Sequence, residues 1–184
     1  MAREYNYDIM REMKTRYALK HFQQERIPRE ELLPLFEAAR YAPSCFNEQP
    51  ERYILGDNPE DHEKLASCLN AGNAYAKKAP VLILVLTTRS FTLTGQKNPF
   101  SRFDAGTATG FLQLEAVRRG FGVHCMAGFD SKRARELFDV PEDLDIIAMI
   151  ALGRPAPLDT LTEEERAQEV PGTRNALETF LLNG

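Results

Sequence analysis

The chain has 184 residues, 43% of them apolar and 27% charged, with a formal net charge of -4. That length can bury one substantial core, and one domain spanning residues 1–184 is expected, with an extended C-terminal arm from about residue 155. The acidic balance argues against a general nucleic-acid binder, because counterion release needs a basic surface. The longest apolar run, residues 81–86, is too short to span a bilayer, and residues 1–8 hold no apolar leader core, so a cytoplasmic protein is expected. Cys45, Cys68 and Cys125 are odd in number and lack CxxC spacing, which fits free thiols.

Along the chain, residues 7–15 read as a short helix with Ile9, Met10 and Met13 on its apolar side. Arg16 and Lys20 follow, four apart. In a helix or a strand that spacing puts both cations on one side, as a phosphate monoester needs or as a solvated surface pair allows. Residues 28–40 form the next helix, with Leu32, Leu35, Phe36 and Ala39 at i, i+3, i+4 and i+7. Pro43 stops it. The loop 42–50 carries prolines at both rims and Ser44, Asn47 and Gln49 between them. These residues suit either a turn or the donor and acceptor edge of a planar heterocycle. Residues 52–55 have strand composition.

Asn58 suits the N-cap of a helix over 59–69, with Glu60 and Asp61 in its first turn. Residues 70–73 punctuate the chain, and 81–86 read as a strand buried on both faces, with no GxGxxG after it. Residues 87–101 look like a loop whose Phe91, Phe100 and Phe103 serve either a pocket or the core. Asp104 is expected to cap a helix to about 119, whose small residues 105–110 allow another helix to approach closely. A strand and turn over 121–130, a helix capped by Asp130 or Ser131, and a buried strand over 146–153 follow. The arm then carries Glu163, Glu164 and Glu165 as a solvated face. His21, His62 and His124 lack ligand spacing, so no metal is expected, and neither GxSxG nor an acid–base pair is visible. Helices covering a central sheet, α+β or α/β, are the expected architecture.

Ala42-Pro43-Ser44-Cys45-Phe46-Asn47-Glu48-Gln49-Pro50 resembles the Ala-Pro-Ser-x-x-Asn-x-Gln-Pro signature of the nitroreductase family of FMN-dependent oxidoreductases. Arg16, Lys20 and Phe22 are similar to the family's opening Arg-x-Ser-x-Arg/Lys-x-Phe element, with Ala18 where the family has serine. Gly72-Asn73 ahead of Ala79-Pro80, the segment from His124 through Met126 and Gly128 to Asp130, the Gly-x-Pro at Gly153, and Arg174 extend the likeness over most of the chain.

The resemblance implies an α+β nitroreductase-like fold, a central mixed sheet wrapped by helices, and a homodimer with FMN at the interface. It places the phosphate on Arg16, Lys20 and Arg174 of one chain, with Tyr17 and Ala18 alongside, and brings Pro43, Ser44, Cys45, Asn47 and Gln49 of the other chain to the ring. Asn73 is either a turn former or a flavin neighbour, and Met126 either a core residue or a ring contact; backbone groups of Ala127 and Gly128 are candidates near N5. The implied reaction is ping-pong: NADH or NADPH gives a hydride to flavin N5 and leaves, and an electron-poor acceptor such as a nitroaromatic or quinone is then reduced. Ala18, Glu51 after Gln-Pro, and the absence of tryptophan depart from the family pattern. They keep open a non-catalytic FMN-binding or regulatory module, or a flavin-free structural dimer.

Overall fold

A computed structural model describes residues 5–181. Its α-helices and strands are α1 (Arg11–Thr15), α2 (Arg29–Arg40), β1 (Glu51–Gly56), α3 (Pro59–Cys68), β2 (Val81–Thr88), α4 (Ser101–Arg118), β3 (Gly122–Met126), α5 (Ser131–Leu137), β4 (Leu144–Gly153) and α6 (Glu163–Gln168). The 3-10 turns Cys45–Asn47, Ala71–Lys78, Leu158–Thr160 and Leu177–Thr179 join them.

The sheet is built on β2. Its residues Val81 to Thr87 are buried without a break, as a strand covered on both faces requires. Successive side chains point to opposite faces, so Leu82, Leu84 and Leu86 pack with Leu65, Cys68, Ala76, Met126 and Met149, while Val81, Ile83 and Val85 pack with Leu32, Leu35, Ala39, Ala108 and Leu112. Burying each such side chain contributes about 1.5–3 kcal/mol, and a slip of one residue would exchange the two sets. Strand order is β1-β2-β4-β3, with every neighbouring pair antiparallel and a register shift between Val85 and Leu86 against β4. The parallel component of the expected mixed sheet is confined to an isolated bridge between Ala18 and Val123. Helices α2 and α4 cover one face; α3, α5 and the Ala71–Lys78 turn cover the other.

Local chemistry sets the helix ends. The Asn58 side chain accepts from the Asp61 N–H, and the Asp130 side chain accepts from the N–H groups of Lys132 and Arg133. In α6, Thr162 and Glu165 form a reciprocal capping box. Two expectations are corrected. Helix α1 starts only at Arg11, with Ile9 and Met10 exposed ahead of it. Helix α4 starts at Ser101 with Phe100 as its N-cap residue, so Asp104 lies within the first turn and is not the cap. The turn before it is held by the Asn98 side-chain oxygen Oδ1, which accepts from the Phe100 N–H. Phe100 and Phe103 stand at the surface, 51% and 75% exposed, and do not fill the core. Among the described residues, no helix is long and apolar enough to cross a membrane.

Candidate functional site

Residues 16–22 run beside β3. Ala18 bridges Val123, the Leu19 N–H donates to the Val123 carbonyl, and Gly122 makes room for the Leu19 side chain. His124, on the same strand, places Nδ1 3.1 Å from the Leu19 carbonyl oxygen, which makes Nδ1 the protonated nitrogen. The Tyr75 hydroxyl lies 3.0 Å from Nδ1 and 3.1 Å from Nε2, and Nε2 is the nitrogen left to accept its proton. Burial first, then the cationic charge of Lys20 and Arg16, lowers the His124 pKa, against the Leu19 carbonyl and Glu169.

The Ala71–Lys78 turn brings Asn73 and Tyr75 to this edge. Asn73 Nδ2 donates to the Gly128 carbonyl at 2.9 Å, and the Asn70 N–H reaches the same oxygen at 3.3 Å. Glycine is needed at 128 for this approach: a Cβ there would stand 2.6 Å from Asn73 Nδ2 and 2.7 Å from Asn70 Nδ2. Lys20 Nζ lies 5.9 Å from the centre of the Tyr75 ring, within cation–π range. Ala18, Lys20, Asn73 and Gly128 thus lie along the β3 edge, with Met126 buried in the core, while Tyr17 lines the cavity that holds Arg16. Burial, reinforced by the negative charge of Glu169, pushes the Tyr17 and Tyr75 hydroxyls up to about 12, so both stay neutral phenols.

The loop 42–50 belongs to the other face. Phe46, Asn47 and Gln49 have φ of 51°, 58° and 48°, the left-handed region that costs a non-glycine residue about 1–2 kcal/mol. Side chains and neighbours hold it there. Ser44 Oγ accepts from the Gln49 N–H, Gln49 Nε2 donates to the Asn47 carbonyl, and the Cys45 N–H donates to Asp104. Glu48 accepts from the Thr92 N–H and hydroxyl, and the Phe46 and Phe91 rings meet edge to face at 6.0 Å. Ser44 and Gln49 are therefore engaged within the loop, while Pro43 and Asn47 are exposed and Cys45 is half-buried.

The expected grouping of Arg16, Lys20 and Arg174 around one phosphate is corrected, because Arg16 and Arg174 line different cavities of the chain. Arg16 lines a cavity of about 300 Å³ with Arg11, Tyr17 and Arg118. Arg174 lines another, of about 480 Å³, with Tyr5, Tyr7 and Ile9, and donates to the carbonyls of Gly172 and Thr173. Sequence reasoning missed Tyr75, Asp104 as an anchor for the loop, and Glu169. The run of glutamates ahead of Glu169 reads as solvated, and its partners lie 148 and 149 residues away, so no local signal marks it. Among the described residues, no group of His, Cys, Asp and Glu could hold a metal ion, and all three cysteines are free thiols.

Comparison with known proteins gives this geometry its context. Residues 13–77 and 67–154 match the model of the Nitroreductase family. The chain is similar to an uncharacterized 15.4 kDa protein of Mycolicibacterium smegmatis, 36% identical over 129 residues, 68% of this chain and 84% of that one. It is also similar to a Methanothermobacter thermautotrophicus protein named for NADH dehydrogenase or NAD(P)H nitroreductase activity, 30% identical over 173 residues, 91% of this chain and 82% of the other. The crystal structure of an oxidoreductase containing FMN superposes with a TM-score of 0.91 at 29% identity, covering 99% of this chain and 94% of that one. Matched over more than half its length by the family model and over nine-tenths by a relative of 30% identity, the chain belongs to the nitroreductase family.

Proposed function

We propose that this protein is an FMN-dependent oxidoreductase that works as a homodimer and passes reducing equivalents from NADH or NADPH to an electron-poor small molecule such as a nitroaromatic or quinone. The observation that carries the proposal is the convergence of Lys20, Asn73 and Gly128, far apart in sequence, on one polar edge beside β3 in a chain of this family. The edge fits a flavin in chemistry: Lys20 is a cation on it, and Asn73 and Gly128, bonded to each other, fix the backbone beside it. Ala18 is the exception, since a methyl group offers no hydrogen bond.

When bound, FMN supplies a two-electron acceptor and donor at its N5. Lys20 would bring positive charge to the electron-rich pyrimidine edge, and Arg16, on the same segment, would neutralise the phosphate, whereas Arg174 lines a separate cavity and is not part of this set. Asn73 holds the Gly128 backbone in place, and Tyr75 and His124 hold each other as neutral groups, so neither adds charge. Because the loop 42–50 packs with α4 on the opposite face of the sheet from Lys20 and Asn73, a second copy is the natural source of the loop that closes the site.

The surface supports that assembly. Gly106 and Gly110 lie inside α4 with open space where their side chains would be, although glycine costs a helix about 1 kcal/mol relative to alanine. Phe103 and Phe111 flank them, exposed. A helix face stripped of side chains and edged by aromatic rings suits close packing against another copy.

The test is to reconstitute the purified protein with FMN and follow NAD(P)H oxidation anaerobically, with and without a nitroaromatic or quinone. Flavin retention and turnover are expected, with Lys20→Ala and Ser44→Ala both releasing FMN more readily. Retained colour without turnover would select a non-catalytic flavin module. A protein that takes up no FMN would select the flavin-free dimer that Ala18 favours.

A further inference from the structure

Glu169, the residue that closes α6, has a side chain only 1% exposed although the arm around it is largely in solvent. Its Oε1 accepts from the Lys20 N–H at 2.9 Å, the His21 N–H at 2.7 Å and His21 Nδ1 at 2.7 Å. Its Oε2 is buried without a hydrogen-bond partner. Two successive peptide N–H groups directed at one oxygen fix both peptide planes, and with them the backbone from which the Lys20 side chain reaches toward the Tyr75 ring.

A neutral amide would offer those N–H groups an acceptor at much lower desolvation cost, so the carboxylate brings something an amide would not: negative charge in a poorly solvated place. The groups facing it are Tyr17 and Tyr75, both neutral, the cation of Lys20, and His21, whose Nε2 lies 3.9 Å from Glu165. Nothing else in the arm has a comparable setting among the described residues.

We propose that Glu169 is a positioning residue of the flavin site, holding the Lys20 backbone through Oε1 and, through its buried charge, disfavouring the electron-rich reduced cofactor, so that bound flavin is a stronger reductant. This rests on the FMN reading above. Fixed negative charge near a group that gains electrons makes the gain less favourable, and the effect is larger where water is excluded.

The test compares the full-length protein with Glu169→Gln and Glu169→Ala, each checked for native circular dichroism. Three quantities are measured: FMN affinity of the apoprotein by fluorescence titration, the flavin midpoint potential against reference dyes, and hydrogen exchange at Lys20 and His21 without flavin. Glu169→Gln is expected to keep the amide protection and FMN affinity and to raise the midpoint potential by about 30 mV, the two-electron equivalent of a tenfold gain for the reduced form. Glu169→Ala is expected to lose the protection and to weaken FMN binding about tenfold.

An unchanged potential in Glu169→Gln overturns the charge role. Unchanged FMN affinity in Glu169→Ala, despite fast exchange at Lys20, reduces the residue to an anchor for the arm and overturns the positioning role. Should the alanine variant not fold, the glutamine variant decides alone through the potential. Failure of the unmodified protein to bind FMN brings down the functional reading itself, and this proposal with it.

Discussion

The backbone N–H of Cys45 donates to Oδ2 of Asp104 at 3.0 Å, joining a loop whose backbone is held in left-handed conformations to the first turn of the longest helix. Asp104 is 4% exposed, and its charge also favours the helix N-terminus. Asp104→Ala would leave a half-buried N–H without its acceptor, at a cost of about 1 kcal/mol in urea unfolding. Asp104→Asn, which keeps a carbonyl oxygen, should lose less. Hydrogen exchange at residues 44–49 should quicken in the alanine variant; a variant as stable and as protected as the parent would show that the loop holds itself.

Gly128→Ala tests the close approach beside β3. The added methyl group would meet the Asn70 and Asn73 side chains well inside contact distance, and Asn73 would have to give up the Gly128 carbonyl. The expected loss is about 1–3 kcal/mol by chemical denaturation, together with faster FMN release. Unaltered stability would mean that both amides move aside without penalty.

Gly106→Leu separates a solvent-facing α4 from one that packs on a second copy. With open space beside the glycine, the single chain accommodates the substitution and gains helix propensity of somewhat under 1 kcal/mol. At a dimer interface the same side chain holds the helices apart. Light scattering should therefore report a dimer for the parent and a monomer for the variant. A variant that remains dimeric would place the interface elsewhere.

His124 makes stability depend on pH. Its folded pKa lies below the ordinary histidine value of about 6.5 because burial disfavours the cation. Above that pH both states are neutral and its contribution is fully present. As pH falls toward the lowered folded value, the unfolded chain takes up a proton that the folded chain refuses, and stability declines. Thermal melts from pH 8 to pH 5 should show this decline, and His124→Gln should flatten it; equal slopes would assign the dependence to other groups.

The secondary elements that were legible in the sequence are those whose cause is local. The run at 81–86 had no polar position to give it a wet face, and Asn58 and Asp130 each stand next to the N–H groups they cap. Asp104 misled because a carboxylate ahead of a helical pattern reads as a cap, whereas its partner is Cys45, 59 residues earlier. The pairing of β2 with β4 across two intervening helices and a strand leaves no sequence mark, and neither does the bond from Asn73 to Gly128, 55 residues on. Of the candidate site, the residues came from motif likeness. Their division between two faces of the sheet came only from the fold.

That division has a consequence for how the molecule responds to a ligand. Because β2 lends alternate side chains to the layers above and below it, neither layer can melt while the other stays whole. Anything gripped near Lys20 should therefore slow opening beneath α2 and α4 as well, so that protection from exchange spreads to residues remote from the point of attachment.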